Sequence, residues 1–287
     1  MRKNPEKIKI VRSPLALQKF SKKILIRGKS IGLVPTMGAL HKGHISLIEK
    51  SVRNNDVTIV SIFVNPVQFE ANEDFAKYPR RLQTDAKLCA EAGASIVFAP
   101  RPGDMYPVPL QTFVRNPALE TLYCGNYRPI HFAGVLSVVA KLFNIALPSM
   151  AYFGEKDFQQ LHLIRKMASD LNFPVKIIGT KTIREHNGLA MSSRNEYLNP
   201  EERAAASSIY AGLMEAKKLY GQGVVSVAKL KGVVKERIER AGGKVQYIEI
   251  ADNRDLMPVR VNVSGKAVIL LACYFGKTRL IDHLSLF

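Results

Sequence analysis

Short apolar runs rich in Val, Ile and Phe alternate with stretches whose apolar residues recur every three to four positions through the first 180 residues, a rhythm that reads as β-strands separated by amphipathic helices. Strands are expected at 31–34, 57–64, 95–99, 151–153 and 175–178. Between them Ile45, Ile48 and Val52 fall on one helical face, and the helical pattern over 82–92 stops at Gly93, the residue type that commonly follows a helix end. Further helices are expected over 135–145 and 158–171. This alternation implies α/β architecture, a doubly wound parallel sheet with helices on its faces. Beyond about residue 180 the pattern changes to helical stretches at 201–220 and 225–241, then strand-like runs near 246–251 and 267–275. These read as a second, smaller α+β domain, so the expected organisation is 1–180 and 181–287. Between 100 and 131, Pro100, Pro102, Pro107, Pro109, Pro117 and Pro129 interrupt the rhythm, and a long irregular stretch in a compact domain is often functional.

Composition narrows the class. The 287 residues are 47% apolar and 23% charged, which fits a packed globular protein and excludes disordered or fibrous chains. No apolar run approaches the roughly 18 residues that span a bilayer, and no apolar signal core follows the basic N-terminus. A soluble, cytoplasmic protein with no membrane partner is expected. Cys89, Cys124 and Cys273 are widely separated and lack CxxC spacing, which suits a reducing compartment and argues against a thiolate metal site. The formal charge of +18 suggests an acidic partner, yet residues 1–30 carry ten Lys and Arg against the single acid Glu6, half of the excess. A solvated basic face accounts for that, and no nucleic-acid-binding module is visible.

Four segments carry candidate chemistry. The first expected strand runs into Pro35, Thr36, Met37, Gly38, Ala39, Leu40, His41, Lys42, Gly43 and His44, where the helical pattern begins. A strand, a glycine-containing turn and a helix start would leave backbone N–H groups facing a phosphate. His41 and His44, three apart, could donate to a polyphosphate as its charge rises in a transition state. No GxGxxG or Walker sequence competes. The second strand ends at Asn65 and Gln68, neutral groups able to fix a hydroxyl or carboxylate. The fourth ends in Gly154, Glu155, Lys156, Asp157 and, one turn on, Gln160; Lys156 can meet a phosphate, and Asp157 can cap a helix or hold a ribose hydroxyl. Finally Gly188, Leu189, Ala190, Met191, Ser192, Ser193 and Arg194 place two hydroxyls and a guanidinium on one loop. That loop resembles the mobile KMSKS loop of class I aminoacyl-tRNA synthetases and related nucleotidyltransferases, whose companion motif is HxGH.

The segments LVPTMGALHKGH, VSIFVNPVQF, RPIHFAGV, FGEKDFQQL, GLAMSSRNEYL and RLIDH together resemble the pantoate:β-alanine ligase family over essentially the whole chain. The resemblance implies a Rossmann-like, HxGH-type fold whose first domain, 1–180, binds nucleotide and pantoate and whose second, 181–287, is a lid. It implies ATP as a substrate with Mg2+ carried mainly on its phosphates, attack of pantoate on ATP to give pantoyl adenylate, and aminolysis by β-alanine. Met37, Gly38, Leu40, His41, Gly43 and His44 would lie along ATP, with Gly154, Glu155, Lys156, Asp157, Met191, Ser192, Ser193 and Arg194, and with Ile183 at the adenine. His44, His41 and Lys156 would be catalytic; Gln68 and Gln160, with Asn65, would serve pantoate and β-alanine. Asp85 would lie near Mg2+, with Thr84 beside it where the family tends to place an acid. His131 receives no role. A homodimer is implied, as is closure of the lid during turnover. The competing readings are another HxGH nucleotidyltransferase or RNA-linked adenylating enzyme, and a silent nucleotide-binding regulator.

Overall fold

The computed structural model describes residues 8–70, 73–106 and 110–287. Pro107, Pro109 and the first seven residues of the basic segment lie outside the described residues. Close contacts divide the chain into two compact units: Met1–Thr121, Gly125–Glu155 and Gln160–Thr180 in the first, and Leu122–Cys124, Lys156–Gln159 and Lys181–Phe287 in the second.

The first unit is built on six strands, β1 (Lys9–Val11), β2 (Ile31–Thr36), β3 (Val57–Ile62), β4 (Ile96–Phe98), β5 (Met150–Gly154) and β6 (Lys176–Thr180). They lie in the order β1-β4-β3-β2-β5-β6, with every pair parallel. Val34, Val60, Val97 and Tyr152 form a core with Leu47, Ile48, Ala86 and Cys89. From β2 the chain proceeds through β3 and β4 on one side and resumes on the other with β5 and β6. The order therefore reverses between β2 and β5, and in such sheets ligands bind beyond the carboxyl ends of the strands at that reversal.

The helices are α1 (Pro14–Ile26), α2 (Lys42–Asn54), α3 (Leu82–Glu91), the single turns α4 (Pro102–Met105) and α5 (Cys124–Tyr127), α6 (His131–Ala146) and α7 (Phe158–Asp170). The α2 face differs from the expected stripe. Leu47, Ile48 and Ser51 are buried and Val52 is 36% exposed, because Ser51 turns inward to share a hydrogen bond with Thr58. Helix α6 starts four residues earlier than its apolar pattern suggests. Helix α3 ends as expected, with Gly93 at φ +86 and its N–H returned to Ala90 O.

The second unit pairs α8 (Pro200–Ala205), α9 (Ser208–Gly221) and α10 (Val227–Arg240) with an antiparallel sheet of β7 (Lys244–Asp252), β8 (Ala267–Phe275) and β9 (Thr278–Ser285). Its core includes Ile209, Leu213, Leu230, Val234, Ile250, Ile269 and Leu271. The helix expected over 201–220 is two helices, since Ala206 ends α8 and Ser207 begins the next turn. No helix among the described residues is long and apolar enough to cross a membrane. Cys89, Cys124 and Cys273 are buried free thiols; burial pushes Cys273 up to about 12.

Candidate active site

In the first unit, the turn after β2 is held by side chains rather than by sheet or helix bonding. The Thr36 hydroxyl donates to Ser61 O and accepts from Gly38 N–H. Ala39 N–H and Leu40 N–H donate to the Asp85 carboxylate, one to each oxygen, at 3.0 and 2.9 Å. His41 caps α2: its Nδ1 accepts from Gly43 N–H at 3.1 Å, and His44 Nδ1 accepts from His41 N–H at 3.3 Å. The two rings pack with centroids 4.1 Å apart. A Cβ on Gly43 would come within 2.9 Å of the His41 ring atoms. The glycine between the histidines is what lets His41 fold back over its own helix start.

Two consequences follow. The main-chain N–H groups of residues 38–41 and 43, expected to face a phosphate, are instead taken by Thr36, Asp85 and the two imidazoles. Donor capacity passes to the rings, because an Nδ1 that accepts a hydrogen bond places the proton on Nε2. Both histidines are thereby fixed as Nε2–H donors. The expectation that Asp85 stands near a metal meets a different arrangement, for it is 2% exposed and both its oxygens accept from the loop. Among the described residues no group of three or more His, Cys, Asp or Glu side chains could hold a metal ion.

Beyond β3, the amides form a directed chain. The Tyr106 hydroxyl donates to Asn65 Oδ1 at 2.7 Å, Asn65 Nδ2 donates to Gln68 Oε1 at 3.0 Å and to Gly134 O at 3.1 Å, and Gln68 Nε2 reaches Met37 Sδ at 3.0 Å. A phenol that donates fixes which end of Asn65 accepts, and Asn65 in turn fixes Gln68 with its NH2 outermost. His131 Nδ1 donates to the Gln68 carbonyl at 3.1 Å, since a carbonyl oxygen can only accept. Asn65 is thus an internal strut rather than an open ligand group, at 1% exposure. Tyr106 and His131 are the residues sequence reasoning missed or left without a role. The Met37 loop and Gln68 are brought together; Gly154 ends β5 and Glu155 begins the turn after it, and Gln160 lies half-buried on the first turn of α7.

In the second unit, Lys156 is 18% exposed at its side chain, with Asp157 Oδ1 4.0 Å away. Phe158 stacks on His283 at 4.7 Å. Gln159 is buried, its amide held between Leu122 O and Cys124 N–H. Residues 183–191 double back on themselves: Met191 N–H donates to Ile183 O and Glu185 N–H to Leu189 O, with a bridge between Arg184 and Ala190. Ile183 and Met191 are therefore side by side. Arg184 clamps this hairpin, bonding Gly188 O and both Asp282 oxygens and lying over the Tyr210 ring. Ser192 Oγ accepts from Arg194 N–H at 3.2 Å, and buried Asn195 ties the loop to Glu185 and Ala190 O. Burial raises the Glu185 carboxyl, but hydrogen bonds from Arg203 and Asn195 outweigh it and leave the group below its ordinary value. The loop bearing Ser192, Ser193 and Arg194 thus stands on an ordered base.

The pantoate-beta-alanine ligase family model matches residues 9–285. The chain belongs to this family. Among its relatives, pantothenate synthetase of Sulfurihydrogenibium sp. (strain YO3AOP1) is 47% identical over 280 residues, covering 97% of this chain and all of that protein. The crystal structure of pantothenate synthetase from Thermus thermophilus superposes with a TM-score of 0.90 at 40% identity, covering 98% of this chain and 100% of that one. The Francisella tularensis pantoate-beta-alanine ligase, complexed with beta-gamma ATP and beta-alanine, gives 0.82 at 35% identity over 97% of this chain and 98% of its own.

Proposed function

We propose that this chain condenses pantoate with β-alanine at the expense of ATP, through a pantoyl adenylate. The observation that carries the reading is the His41 and His44 pair, two imidazoles fixed as Nε2–H donors at the carboxyl end of β2 in a chain of this ligase family. In the first step a pantoate carboxylate oxygen bonds to the α-phosphorus, and the bond to the bridging oxygen breaks to release pyrophosphate. Negative charge grows on the phosphate oxygens, where preorganised donors act most strongly. His44, His41 and the half-buried Lys156 supply that stabilisation. Met37, Gly38, Leu40 and Gly43 shape the loop along ATP, with Gly154, Glu155 and Asp157 at the neighbouring strand end and Ser192, Ser193 and Arg194 on the second unit's loop. Ile183 and Met191 flank the adenine. In the second step the β-alanine nitrogen attacks the acyl carbon, loses a proton, and AMP leaves with the acyl C–O bond pair.

Gln68, its NH2 held outermost, donates to pantoate, and Gln160 binds the same substrate. Asn65 supports Gln68. Mg2+ would be carried mainly by the phosphate oxygens and water, as is usual for this ion. Cytoplasmic location and a homodimer complete the reading, the latter testable by light scattering. The test is AMP formation from ATP: it requires pantoate and β-alanine together in stoichiometric yield with the amide product, and AMP formation that ignores pantoate would refute the assignment.

A further inference from the structure

We propose that Asp85 is a positioning residue for adenylate formation: from the first turn of α3 its carboxylate holds the main chain of Ala39 and Leu40, and through it the His41 and His44 pair, in the reactive conformation. The proposal rests on the reading under which loop 37–44 acts on ATP.

Gly38 and Ala39 are consecutive left-handed residues, at φ +88 and +50, and alanine adopts that region only when its surroundings enforce it. The enforcing contacts are the N–H groups of residues 38–41 and 43, whose acceptors are Thr36, Asp85 twice, His44 and His41. Of these acceptors Asp85 alone lies outside the segment, 46 residues along the chain from Ala39. Together with the Thr36–Ser61 and Gln68–Met37 contacts it ties the loop to the rest of the unit. A trans peptide sets C=O opposite N–H, so directing the Ala39 and Leu40 N–H groups at Asp85 turns the Gly38 and Ala39 carbonyl oxygens away from it. The peptide entering His41, and with it the start of α2, takes its direction from there.

The chemistry requires a carboxylate. The two N–H groups take one carboxylate oxygen each, and an amide in the same place would set its NH2 against one of them. The buried charge is balanced by those N–H dipoles and by the amino end of α3. Its effect is visible one turn on, where burial and the Asp85 charge together push the Cys89 thiol up to about 12.

The experiment compares wild type, Asp85→Asn and Asp85→Ala by hydrogen exchange of the peptide containing Ala39 and Leu40, by pantoate-dependent pyrophosphate–ATP exchange, and by Mg2+ titration. Peptides from β2 and β3 report whether each variant is folded. Both variants are expected to lose protection at the loop and between about tenfold and a hundredfold in exchange kcat, the loss that follows from leaving a buried donor unmatched. KM for pantoate should stay within about twofold, because the Tyr106 and Asn65 bonds that orient Gln68 lie outside the loop. Unchanged loop protection in either variant overturns the proposal, as does a rate loss restored by raising Mg2+, which would make Asp85 a metal ligand. In the wild type, Ala39 and Leu40 amides that exchange as fast as exposed loop amides overturn it without any variant. His44→Ala separates the two claims: full exchange activity in His44→Ala would remove the loop from the chemistry, whatever Asp85 holds.

Discussion

Tyr106→Phe removes one oxygen atom and should change how the protein binds pantoate. The ring is 7% exposed and packs near Phe63, centroids 6.1 Å apart, with Lys141 Nζ 5.7 Å from its face, contacts that phenylalanine keeps. What is lost is the 2.7 Å bond to Asn65 Oδ1, which leaves a buried acceptor unmatched and destabilises the fold by about 1–3 kcal/mol. The functional consequence is separate. Without the phenol, Asn65 is oriented by the Gly134 carbonyl alone, and Gln68 is held less firmly with its NH2 outermost. One neutral hydrogen bond of about 1 kcal/mol to the substrate carboxylate or hydroxyl is then weakened, raising KM for pantoate by roughly fivefold while KM for ATP stays put. The assay is initial-rate kinetics of pyrophosphate–ATP exchange, extended to a double-mutant cycle with Gln68→Ala. If Tyr106 acts through Gln68, the double variant should bind pantoate no worse than Gln68→Ala alone. Effects that add within about 0.5 kcal/mol would refute the relay.

Three further outcomes are expected. His44→Ala and Lys156→Ala should each lower kcat for adenylate formation by about 10²–10³ with a smaller rise in KM for ATP, as single-turnover pyrophosphate release will show; a change confined to KM would reduce both to ground-state contacts. Arg194→Ala should slow adenylate formation and raise the ratio of AMP to amide product, leaving the unfolding midpoint unchanged; an unaltered ratio and rate would make its loop a surface turn. His283 is buried, and that burial pulls its imidazole down from 6.5 to about 4. The unfolded chain therefore binds the proton first, so stability is full above pH 6.5 and is lost as pH falls toward 4, by roughly 3 kcal/mol in total. Denaturant unfolding of His283→Gln should show a correspondingly flatter profile across that window, and parallel profiles would contradict it.

The sheet's central strands were legible because a parallel sheet buried on both faces demands short, near-continuous apolar runs, and 31–34, 57–64 and 151–153 supply them. Strand β1 was not, since Lys9, Ile10 and Val11 sit in a basic segment and gain strand character only by pairing with β4. Helix α1 carried a readable start in Ser13 and Pro14, a cap followed by proline at the first helical position, masked by the lysines that follow. Strand β9 was not among the expected strands, since Arg279, Asp282 and His283 interrupt its apolar residues, and Asp282 is paired with Arg184. The break at Ala206 has no proline or glycine to announce it. In the site, His41, Gly43 and His44 announce themselves because their geometry is local. Tyr106 and Asp85 do not, because their partners lie 41 and 46 residues away, a distance that no motif spans.

The central claim is that an acyl adenylate forms before the amine reacts. The measurement that tests it most directly is incorporation of labelled pyrophosphate into ATP with pantoate present and β-alanine absent. The account predicts exchange that depends on pantoate, stops without it, and falls by about 10²–10³ in His44→Ala. No exchange at saturating pantoate, with amide product still formed once β-alanine is added, would show a concerted reaction and contradict the two-step mechanism.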